Sequence, residues 1–85
     1  MYNSIISYME RTSPETACEA NTPSGRRMIR REAKEEIAML MSAKESFELL
    51  GQKEAAKEAL NKAVFAAKWL VKFGAFDAFG KETPQ

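Results

Sequence analysis

A chain of 85 residues, 45% apolar and 29% charged, has room for one domain, or for less than one if association completes its core, and its composition excludes wholesale disorder. Thirteen basic against 12 acidic residues, a net charge of +1, favour no class of partner by themselves. There is no histidine, which removes the commonest general base and metal ligand, and the single cysteine, Cys18, can form neither an intrachain disulfide nor a thiolate zinc site.

A lone thiol favours a reducing compartment. The first residues, MYNSIISYMER, lack the basic start, apolar stretch and small-residue cleavage site of a signal peptide. The apolar run Ala63 to Ala67, which no other run exceeds, is far below the roughly 20 residues that span a bilayer. A cytoplasmic protein without a membrane span is the expectation.

In chain order, Tyr2, Ile6 and Met9, with Ile5 and Tyr8, have the spacing of a short amphipathic helix. Ser13-Pro14-Glu15 predicts a helix start, with a capping hydroxyl, proline in the first turn and a carboxylate at the positive helix end. That element reaches about Ala20, since Asn21-Thr22-Pro23-Ser24-Gly25 reads as a loop.

The first long helix is expected over 26–50, its stripe formed by Ile29, Ala33, Ile37, Leu40, Ala43, Phe47 and Leu50. Gly51 is its natural terminator. A second long helix is expected over 52–73, with Gly74 as its stop. So short a connection folds the two back as an antiparallel hairpin. Residues 1–25 then form a short N-terminal unit, 26–80 the hairpin unit, and 81–85 a flexible tail.

One local pattern sits at the hairpin turn. Gly51, Ala56, Leu60 and Ala63 have the spacing of the second half of a tetratricopeptide repeat, and Phe47 takes its aromatic position. This resembles that family over about a fifth of the chain. The Leu-Gly first half and a second copy are both absent, so the pattern reads as small residues at a helix crossing rather than as membership.

Two features point to a working surface. Along the second long helix, Ala56, Leu60, Ala63, Ala67 and Leu70 form one apolar stripe flanked by Val64 and Val71. Phe65, Trp69 and Phe73 fall nearly opposite, and Phe76 continues them. A surface helix needs one apolar stripe, so the second is expected to be covered by residues 1–12, by a second subunit or by a target.

The other feature is the run Arg26-Arg27-Met28-Ile29-Arg30-Arg31, whose cations oppose the helix dipole. Arg31 and Val71 each lie 20 residues from Gly51, so the antiparallel fold sets them level. Lys68, Lys72 and the aromatics thereby join Arg26, Arg27, Arg30 and Arg31 at one pole. Such a pole suits an acidic protein partner, a phosphate backbone or an anionic membrane surface. Its bland explanation is pairing along the helix with Glu35 and Glu36.

Together these predict an all-α protein, a long antiparallel hairpin with a short N-terminal helix packed on it, able to form a four-helix-type bundle as a dimer. The expected function is a non-enzymatic interaction or regulatory module, homodimeric and without cofactor or metal. Phe65, Trp69, Phe73 and Phe76 are the partner-binding candidates, and Arg26, Arg27, Arg30, Arg31, Lys68 and Lys72 the sites for an anion or acidic partner. The size suits an accessory protein, viral ones included. A small nucleic-acid-binding protein and a structural subunit of a larger complex are the alternatives.

Overall fold

A computed structural model describes residues 4–82, with side chains as far as Asp77. It contains four helices: α1 Ile5–Arg11, α2 Pro14–Ala20, α3 Pro23–Leu49 and α4 Lys53–Glu82. The chain is all-α among the described residues. α3 and α4 form the antiparallel hairpin, and α1 and α2 pack on it.

Three hydroxyls nine residues apart begin the first three helices. Ser4 Oγ accepts from the Ser7 N–H at 3.3 Å, Ser13 Oγ from Thr16 at 3.2 Å and Thr22 Oγ1 from Gly25 at 3.1 Å. Each answers one of the amide donors that a helix start leaves without a partner. Pro14 and Pro23 follow their caps at the first helical position. The expected loop at Asn21–Gly25 therefore shrinks to Asn21 and Thr22, and α3 begins at Pro23 rather than at residue 26.

The hairpin turn is a Schellman motif. Gln52 donates to the Phe47 carbonyl at 2.8 Å and Gly51 to that of Glu48 at 3.1 Å, with Gly51 at φ 76°. This left-handed conformation strains any residue with a Cβ, which is why glycine ends the helix here.

Gly74 behaves differently. It lies inside α4, which continues to Glu82 rather than stopping at residue 73. Glycine costs a helix roughly 1 kcal/mol relative to alanine but does not end it unless the backbone turns left-handed. Of the expected flexible tail, Lys81 and Glu82 are helical and 83–85 lie outside the described residues.

The core lies at the open end of the hairpin. Ile5, Ile6 and Met9 of α1 and Ala17 of α2 meet Ile29 and Ala33 of α3 and Ala66, Trp69 and Phe73 of α4. Toward the turn the interface narrows to Ala56, Ala59 and Ala63 against the half-buried Leu40, Ala43 and Phe47. The turn half of the hairpin is thus a two-helix arm that neither α1 nor α2 covers.

Candidate functional site

The aromatic face is satisfied largely from within the chain. Trp69 is 5% exposed and Phe73 fully buried. Their rings stack at 5.1 Å, and Tyr8 of α1 meets Trp69 edge-on at 6.4 Å. Trp69 Nε1 donates to the Thr12 carbonyl at 2.9 Å, which pins the junction between α1 and α2. The Cys18 thiol donates to the Phe73 carbonyl at 3.4 Å and ties α2 to the same turn of α4. Of the residues expected to bind a partner, Trp69 and Phe73 are therefore intrachain core. Only Phe65 and Phe76 keep substantial exposure.

The buried side of α4 is one stripe that drifts, taking Ala56 and Ala63 from one expected stripe and Trp69 and Phe73 from the other, while Leu60 and Ala67 stay outside it. A seven-residue repeat slips by roughly 20° per step on a straight helix. Ala59, Ala66 and Phe73 follow that slip, and Trp69 lies within about 60° of Ala66 at 100° per residue. The cover for Trp69 comes from Tyr8 and the α1–α2 junction, one of the alternatives open from sequence. Tyr2, the other aromatic in that segment, lies outside the described residues.

The basic pole divides in the same way. Asp77, the chain's single aspartate, is 7% exposed and is the one buried charged side chain among the described residues. It accepts from Arg26 Nε at 2.9 Å and from an Arg30 guanidinium nitrogen. Arg26 also donates to the carbonyls of Cys18 at 3.1 Å and Asn21 at 2.6 Å. These belong to the end of α2, where a helix leaves carbonyls unpaired and where a cation is favoured. One guanidinium thus joins α2, α3 and α4.

Burial pushes the Asp77 carboxyl up, but hydrogen bonds and charge from Arg30 and Arg26 outweigh it and hold the group below its ordinary value. Arg26 and Arg30 are correspondingly spoken for. Sequence reasoning misses Asp77 because Gly74 reads locally as the end of a helix. The available signal is an aspartate in the apolar run GAFDAFG, 26 residues beyond Gly51 and so nearly level with Arg26, 25 before it.

The remaining candidate cations do not form one patch. Arg27, Arg31, Lys68 and Lys72 are exposed. Arg27 and Arg31 lie about 160° round α3 from the buried Ile29, whereas Lys68 and Lys72 point away from α3 on the outer side of α4.

The hairpin has a covered side and a bare side. On the covered side a shallow groove runs between the cap Ser4 with Ile5 and Tyr8 of α1 and Ile29 and Glu32 of α3. On the bare side Leu60, Val64, Ala67 and Val71 lie about 140–180° round α4 from Trp69. Beside them are Ala38 and Met41 of α3. Val71 is 73% exposed, Val64 42% and Met41 38%. At the turn end of this side, Lys44 and Glu48 adjoin Lys57 and Leu60. Leu49 and Leu50 are also exposed at the turn itself.

Comparison with protein-family models, with curated proteins and with solved structures finds no match. No helix among the described residues is long and apolar enough to cross a membrane.

Proposed function

We propose that this chain is a non-enzymatic helical interaction module, homodimeric and cytosolic, that works by presenting its hairpin to another protein surface. The observation that carries the reading is the bare side of the hairpin. A row of valine, alanine and methionine side chains runs along the same length of hairpin whose opposite side is packed by α1 at its open end. Apolar side chains left exposed in a row on a small chain offer a surface for a partner to cover.

Sedimentation equilibrium over a wide concentration range tests the assembly. A mass of twice 9.6 kDa is expected. A chain that stays monomeric at several hundred micromolar is not a homodimer, and the reading then fails.

The exposed Arg27, Arg31, Lys68 and Lys72 support a second reading, a nucleic-acid-binding protein. Their separation onto two sides of the hairpin weakens it, since a duplex backbone needs its cations on one surface. Absence of binding to generic duplex DNA or RNA at about 50 mM salt, where counterion release favours association, removes it.

A further inference from the structure

The occupant of the bare side is written in its charge pattern. Along α3, Arg27, Arg31, Lys34, Ala38, Met41 and Glu45 recur at alternating steps of four and three, the spacing of a coiled-coil seam. The seam is basic at the open end, apolar in the middle and acidic toward the turn. All of these side chains are exposed. Glu48, one step further on, is paired with Lys44 at 3.0 Å, and Glu45 has no ion partner among the described residues. Along α4, Leu60, Val64, Ala67 and Val71 repeat the same spacing on the same side, and Gly74 continues it.

Ala38 and Val64 each lie 13 residues from Gly51 and so sit level. Arg31 lies seven residues before Ala38 and Glu45 seven after it. A twofold axis running across the hairpin at that level lays a second copy antiparallel on the first, α3 on α3 and α4 on α4. It then brings Arg31 and Arg27 of each copy to Glu45 and Glu48 of the other. The same axis sets Val64 against its own copy and Leu60 against Ala67 and Val71. Lys57 falls opposite Val71, where its aliphatic stem can lie over the valine with its ammonium at the rim.

A parallel pairing, with α3 on α4, instead places Arg31 and Lys34 against Val71 and Ala67 and leaves those cations without carboxylates. We infer that the bare side of the hairpin binds a second copy of this chain in antiparallel orientation, through the Leu60–Val71 row and reciprocal contacts between Arg27/Arg31 and Glu45/Glu48. This rests on the homodimeric reading above and adds its face and direction, which differ from the aromatic face expected from sequence.

Two charge-reversal variants test it, R27E/R31E and E45K/E48K. Each sits on exposed helix surface away from Asp77 and the core, and circular dichroism checks that helix content is kept. Each variant alone faces like charge at both ends of its seam and is expected to dimerise at least tenfold more weakly than wild type. An equimolar mixture of the two is expected to form a heterodimer. V64E gives an independent reading, since it sets two carboxylates against each other at the axis and is expected to yield a folded monomer.

A wild type that is monomeric overturns the homodimer itself. A wild-type dimer that tolerates all three variants keeps the homodimer but overturns this face. A wild-type dimer weakened by E45K/E48K and V64E but not by R27E/R31E overturns the antiparallel direction, because in the parallel pairing Arg27 and Arg31 have no carboxylate opposite them.

Discussion

Arg26 and Asp77, 51 residues apart in sequence, join Nε to Oδ1 at 2.9 Å in the core end of the hairpin. Because the same guanidinium holds the Cys18 and Asn21 carbonyls, removing it should loosen the α2 end as well as the ion pair. R26A is expected to cost about 1.5–3 kcal/mol, the range for hydrogen bonds to charged groups. K72A, at the same end of the hairpin and exposed on the outer side of α4, should stay within about 0.5 kcal/mol of wild type. Urea denaturation of the two variants checks the contrast.

Acid should find the same latch. The folded Asp77 carboxyl titrates below its unfolded value, so its contribution is fully present above about pH 4 and is lost as pH falls through the folded value. Unfolding free energy should therefore drop below about pH 4, and D77N should be less stable at pH 7 with a flatter acid limb. An unaltered acid limb in D77N would sink this account.

Trp69 is the chain's only tryptophan and so a direct probe of the N-terminal cover. Its fluorescence should be blue-shifted in the folded protein and move red on unfolding. W69A should cost about 3–5 kcal/mol, as a large ring removed from a packed core does. W69F retains an aromatic ring but loses the bond to Thr12, and should cost less. A W69A protein as stable as wild type would mean that α1 and α2 do not pack as described.

The two structurally distinct glycines predict opposite signs. Gly51 has φ 76°, so G51A should destabilise by about 1–2 kcal/mol even though nothing lies within 4 Å of an added methyl. Gly74 sits within α4 with the same open space, so G74A should stabilise by about 0.5–1 kcal/mol. At this chain length each kcal/mol moves the thermal midpoint by about 4–8 °C, well within reach of a melting curve.

Cys18 should be a slow thiol. Partial burial, with the Asp77 charge second, pushes its pKa up, and its proton is engaged by the Phe73 carbonyl. Alkylation by iodoacetamide at pH 8 is expected to be slower than for a free cysteine and to reach the free rate in denaturant.

The hairpin was legible from sequence because its determinants are local. The three-four stripe of α3 and Gly51 at the turn each act within a few residues. Capping chemistry at Ser13 was legible for the same reason.

What escaped was the choice between two fates for the same residue type. Glycine ends a helix at position 51 and is merely tolerated at 74, and local composition does not separate the two. That single error hid Asp77, and with it the structural work of Arg26 and Arg30. The burial of Trp69 also depends on Thr12, a partner 57 residues away, which no periodicity in α4 encodes.

The position of α1 and α2 has a consequence for how the chain is made. They are synthesised before the hairpin, yet their partners Trp69, Phe73 and Asp77 lie in the far part of α4. The hairpin can close from neighbouring residues around Gly51, whereas the N-terminal cap must wait, its apolar side chains uncovered, until α4 is nearly complete. A chain truncated before residue 69 should therefore leave Ile5, Ile6 and Met9 without their α4 partners.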